Sequence, residues 1–102
     1  MDFQEIQKGV INNAKKYQEK YKVNFDETAA LIKLFEEVGE LSEAYLTYAK
    51  KSRPDKFVSE EDAKNKVAKE IADVVGVAIM LASLLDIDLE KSIDKKWINK
   101  EI

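Results

Sequence analysis

From Ile71 to Leu85 the chain carries a single charged group, Asp73. Helical spacing spreads Val74, Val75, Val77, Ile79, Met80, Leu81, Leu84 and Leu85 around nearly the whole circumference of such a segment. At about 1.5 Å per residue it reaches about 22 Å, short of the roughly 30 Å hydrocarbon slab of a bilayer. No membrane partner is therefore expected, and the segment reads as a buried helix. A helix that is apolar on every side must be covered on every side. The chain has 102 residues, of which 45% are apolar, and is read as one domain over 1–102. A domain of that size buries about two-thirds of the surface of its unfolded chain. The remaining short helices supply too little cover, so this helix is expected in a subunit interface as well as in the core.

The rest of the sequence is equally helical in pattern. One proline and three glycines punctuate it. Phe3, Ile6, Val10, Ala14, Tyr17 and Tyr21 recur at spacings of three or four and mark an amphipathic first helix. Lys22–Asn24 breaks that pattern, and Asp26 is placed to cap a second helix carrying Leu31, Leu34, Phe35, Val38, Leu41, Tyr45 and Tyr48. Lys50–Val58, with Pro54, reads as a loop. Ser59 with Asp62 opens the third helix, which runs to about Leu85, and Asp88 caps a short fourth. No alternating strand pattern, repeat or low-complexity tract stands out. The expected fold is all-α, an antiparallel four-helix bundle completed by oligomerisation.

Composition narrows the chemistry. Seventeen basic against twenty acidic residues give a net charge of −3, which argues against a nucleic-acid polymer as partner. There is no cysteine, which removes disulfides, thiolate metal sites and cysteine nucleophiles. There is no histidine, which removes serine–histidine triads and imidazole ligands. The N-terminal MDFQEIQKGV lacks the basic-then-apolar pattern of a secretory signal, so a cytoplasmic location is expected.

Carboxylates are what remain. Measured from Leu31 around helix two, the apolar face spans about 280° to about 40°, Glu37 falls at about 240° on its border, and Glu40 falls at about 180°. Glu36 and Glu43 point further out. Measured from Ile71 around helix three, Glu70 falls at about 260° and Asp73 at about 200°, amid apolar residues. Each helix thus carries an acidic pair at i, i+3 starting at the edge of its apolar face. Like charges one turn apart repel, and more so where water is excluded. The residues alone leave two readings open. One is a solvated acidic face, with Asp73 paired to a lysine. The other is a site for a hard, oxygen-seeking cation such as Mg²⁺ or Mn²⁺.

LFEEVGELSEA (34–44) followed by KEIADVVGVAIMLASLLDID (69–88) resembles the MazG-like all-α nucleoside triphosphate pyrophosphohydrolases, a group that includes dCTP pyrophosphatases. The pattern E-E-x-x-E on one helix and E-x-x-D on the next appears as Glu36, Glu37, Glu40 and Glu70, Asp73. Gly39 stands where the first motif has its glycine, and LLDIDLE (84–90) matches the turn into the last helix. The likeness covers about residues 27–99.

The resemblance implies that Glu37, Glu40, Glu70 and Asp73 hold Mg²⁺, with Mn²⁺ as a possible substitute. It implies hydrolysis of a nucleoside or deoxynucleoside triphosphate to the monophosphate and pyrophosphate, as a clearing of the nucleotide pool, by a homodimer or homotetramer. Glu36, the motif acid not assigned to the metal, is then the catalytic proton acceptor. Lys95 and Asn99, at i, i+4, match substrate-contacting positions for phosphate or sugar, with Lys96 and Lys100 nearby. Phe3, Tyr17, Tyr21, Phe25 and Trp97 are candidate stacking partners for a base, though each reads first as core. Two alternatives stay in view: phosphoribosyl-ATP pyrophosphohydrolase, a related activity, and a non-catalytic helical dimer acting as an adaptor. A di-iron bundle is set aside because it ordinarily draws on histidine.

Overall fold

A computed structural model describes residues 1–100; Glu101 and Ile102, the end of the expected 1–102 domain, lie outside the described residues. The chain is all-helical, with no strand among the described residues. Helix α1 covers Phe3–Tyr21, α2 Glu27–Tyr48, α3 Glu60–Leu84 and α4 Leu89–Ile93. A 3₁₀ turn at Pro54–Lys56 interrupts the loop expected around Pro54, and a π-helical turn, Asp94–Ile98, follows α4. No helix among the described residues is long and apolar enough to cross a membrane.

Local chemistry sets these boundaries. Asp2 and Glu5 form a reciprocal capping box on α1: the Glu5 amide donates to Asp2 Oδ1 at 2.8 Å, and the Asp2 amide reaches Glu5 Oε1 at 3.5 Å. Three expected caps are present. Asp26 accepts from the Ala29 amide at 2.9 Å, Ser59 Oγ from the Asp62 amide at 3.1 Å, and Asp88 from the Lys91 amide at 3.1 Å. The three long helices are followed by Lys22, Lys50 and Asp86, all at positive φ (53°, 57° and 55°). Their left-handed backbone turns the chain back so that the amides of Val23, Lys51 and Ile87 reach the carbonyls of Gln18, Leu46 and Ala82. Glycine ordinarily fills that position. Here the chain breaks each helix without one.

The chain divides into two compact units, Met1–Ala30 with Ala78–Ile102, and Leu31–Val77. In the first, α1 half-buries Phe3, Ile6, Val10, Ala14 and Gln18. Tyr17 and Tyr21 do not join this seam as expected. They are exposed and lie against each other, ring centres 4.7 Å apart. Gln18 takes the place instead, and its side chain ties the link to α2, accepting from the Phe25 amide at 3.3 Å. Ile79 and Ala82 are the buried residues of this unit's part of α3.

Helix α2 corrects the expected core face. Leu31, Phe35, Val38 and Tyr45 are exposed in the single chain, Phe35 by 73%. The buried positions are Ala30, Glu37 and Ala44, one heptad apart. On α3 the same spacing recurs as Ala63, Glu70 and Val77. Each helix therefore centres its packed seam on a glutamate with a small or medium apolar residue a heptad either side. The glutamates sit in the seam, not on its border.

Candidate metal centre

Glu37 and Glu70 retain only 6% and 4% of their surface and are the buried charged residues among those described. Burying a carboxylate is costly unless its oxygens find partners. On each residue one oxygen does. Lys33 Nζ lies 3.2 Å from Glu37 Oε1 and 3.2 Å from Glu36 Oε1, and Lys66 Nζ lies 3.0 Å from Glu70 Oε1. The second oxygens, Glu37 Oε2 and Glu70 Oε2, are buried and have no hydrogen-bond partner among the described residues.

Carboxylate oxygens of Glu37, Glu70 and Asp73 all lie within 4.8 Å of one another, and those of Glu36, Glu37 and Glu40 do likewise. Glu37 belongs to both groups and joins them. The five acids singled out from sequence thus converge within one compact unit, across α2 and α3. Their burial differs from expectation. Asp73, expected amid apolar side chains, is exposed, as are Glu36 and Glu40; the two buried acids are the first of each i, i+3 pair.

Electrostatics reflects the crowding. A proton on Glu40 allows a hydrogen bond to the Glu37 carboxylate, and this, with the charge of Glu37, partial desolvation and the charges of Glu70 and Glu36, raises the Glu40 pKa above the ordinary glutamate value. Hydrogen bonding to Glu36 raises the Lys33 pKa, helped by Glu37 and opposed by partial burial. Hydrogen bonding to Glu70 and the charge of Glu70 raise that of Lys66, with smaller contributions from Glu40 and Asp73. Glu40, Lys33 and Lys66 thus hold their protons more tightly than isolated side chains do, as the negative charge around them dictates.

The donor set is oxygen only, from carboxylates on two helices, with two buried oxygens lacking partners. That composition fits a hard divalent cation and suits zinc or copper poorly. A cleft of about 570 Å³ lies alongside, lined by Glu40, Glu43, Thr47, Lys56, Lys66 and Glu70 among others.

Sequence reasoning missed Lys33 and Lys66, although each stands four residues before a buried glutamate, the spacing at which helical side chains meet. The acidic pair shared by the two helices was readable, but not that the repeat extends to the lysine before each pair and to the small or medium apolar residues around it. Ala30, Lys33, Glu37, Glu40 and Ala44 on α2 correspond, at a constant offset along the chain, to Ala63, Lys66, Glu70, Asp73 and Val77 on α3. The residues between these positions differ, Leu31, Ile32 and Glu36 standing against Lys64, Asn65 and Lys69, which hides the pattern in the sequence.

Lys95 and Asn99 belong to the other compact unit. Both are exposed at the π-helical turn, where the wider winding replaces the α-helical i, i+4 register, and the Asn99 amide donates to Asp94 Oδ1 at 2.6 Å. Of the aromatic candidates, Phe3 and Phe25 are half-buried, whereas Tyr17, Tyr21 and Trp97 are exposed, Trp97 by 80%. No protein-family model, curated protein or solved structure matches the chain.

Proposed function

We propose that this protein is a Mg²⁺-dependent nucleoside triphosphate pyrophosphohydrolase, cytoplasmic and working as a homo-oligomer in which an antiparallel helical bundle is completed between subunits. The observation that carries the reading is the pair of buried, partnerless oxygens on Glu37 and Glu70, within an all-oxygen cluster drawn from two helices. The sequence pattern of the motif acids, which resembles that of the MazG-like enzymes, supports it.

In this reading Glu37, Glu40, Glu70 and Asp73 hold Mg²⁺, with Mn²⁺ able to substitute. When bound, the ion supplies neutralisation of phosphate charge and polarisation of a water. The chain's own residues do the remaining work. Glu36, exposed beside this set, accepts the proton of the attacking water, and Lys33, 3.2 Å away, orients its carboxylate. Lys56 and Lys66 in the adjoining cleft offset part of the negative charge that a triphosphate would meet there. The contacts to phosphate or sugar that the resemblance to the MazG-like enzymes gives Lys95 and Asn99 belong to this reading through the motif alone.

The test is a panel of ribo- and deoxyribonucleoside triphosphates incubated with Mg²⁺ or with EDTA, with products resolved by chromatography. The expected products are a monophosphate and pyrophosphate, formed only with metal. Diphosphate and phosphate would show attack at the wrong phosphorus. No product from any triphosphate would turn attention to phosphoribosyl-ATP and then to an adaptor role.

A further inference from the structure

We propose that Lys33 and Lys66 are built-in counter-ions that hold the two buried glutamates while no metal is bound and surrender them when it binds. The inference rests on the metal-centre reading and adds to it a competitor for the ion. Both lysines reach forward one helical turn to a glutamate that is more than nine-tenths buried, at 3.2 Å and 3.0 Å. The device is present on both helices at the same relative positions, 33/37/40 and 66/70/73.

Each lysine occupies one carboxylate oxygen and leaves the other without a partner. Lys66 offsets Glu70 one to one and Lys33 is shared between Glu37 and Glu36, so the ammonium groups offset charge without satisfying the site. A divalent cation coordinated by several of these oxygens would do both. The lysine head groups have an exit, since the side chain of Lys66 is more than half exposed and that of Lys33 about two-fifths. Their stems keep them within a turn of the cluster after release. Lys66 also lines the cleft, so a freed ammonium there meets an anionic ligand beside the metal. By linkage, metal and anion then bind each more tightly in the other's presence.

The experiment titrates Mn²⁺ alone, followed by its electron paramagnetic resonance, into the full chain and into Lys66→Gln, Lys33→Gln and Lys66→Arg. Removing the competitor is expected to tighten Mn²⁺ binding at least about threefold in both glutamine variants, as loss of an ion pair with one exposed partner allows. Lys66→Arg keeps the charge and should stay near wild type. An independent reading uses the unaltered chain: the ¹⁵N ammonium signal of Lys66, protected by its hydrogen bond to Glu70, should disappear as Mg²⁺ saturates the site. Unchanged or weaker Mn²⁺ binding in folded glutamine variants, or a Lys66 ammonium signal that persists at saturating Mg²⁺, would overturn the counter-ion role while leaving the metal centre standing. Absence of Mn²⁺ binding by every form, wild type included, would overturn both.

Discussion

Glu40 and Asp73 are exposed members of a cluster whose other acids include the buried Glu37 and Glu70. This makes the exposed pair the better probes, because an amide in their place disturbs no packing. If the proposed metal role holds, Glu40→Gln and Asp73→Asn each lower triphosphate turnover by about 100-fold, the upper end of what even the outer partners of a metal site cost, with far-ultraviolet circular dichroism unchanged. The same Glu40→Gln variant reads the electrostatics. The folded chain binds a proton at Glu40 more tightly than the unfolded chain does, because Glu37 lies beside it. That group therefore favours folding at low pH, and the benefit is lost as pH rises through its raised pKa. Thermal melts in EDTA should find Glu40→Gln more stable than wild type near pH 7. The difference should shrink as pH falls and wild-type Glu40 takes up its proton.

At the scale of the elements, the capping signals at Asp26, Ser59 and Asp88 were readable because a cap depends on residues three or so apart. The helix ends were readable only as breaks. No glycine marks them, and the left-handed turns at Lys22, Lys50 and Asp86 emerge from the fold. A side chain at such φ costs about 1 kcal/mol relative to glycine. Lys50→Gly should stabilise the chain by about 0.5–1 kcal/mol in urea unfolding, since the position lies just beyond the last turn of α2 and not inside it. A loss of stability there would mean that Lys50 makes a contact worth more than its strain.

For the molecule as a whole, the face of α2 bearing Leu31, Phe35, Val38 and Tyr45 is exposed in the single chain, as are Ile71 and Val75 on α3. Burying a large apolar side chain is worth about 1.5–3 kcal/mol, so several together provide a strong drive to associate. The expectation of an obligate oligomer thus passes from α3 alone to the α2 face as well. Sedimentation equilibrium at micromolar concentration should give a dimer or tetramer, and Phe35→Glu, which puts a charge on that face, should shift it towards monomer. A folded wild-type monomer at that concentration would count against the proposed assembly.

Local features follow from the linear order alone. Helical class comes from spacing and from the scarcity of proline and glycine, and the caps come from short-range hydrogen bonding. The choice of the five acids came from the spacing within each helix together with a likeness of motif. Which way each helix faces was settled by packing. On α2 the apolar stripe around Leu31 and Phe35 pointed to one side, yet the packed seam follows Ala30, Glu37 and Ala44 about a quarter-turn away. Periodicity locates an apolar face without saying which partner covers it, and a face left for another surface looks the same as a core. Only with the helices placed do Glu37 and Glu70 become the buried pair, Asp73 an exposed acid, and Lys33 and Lys66 the counter-charges, because burial and ion pairing depend on neighbours that the linear order does not specify.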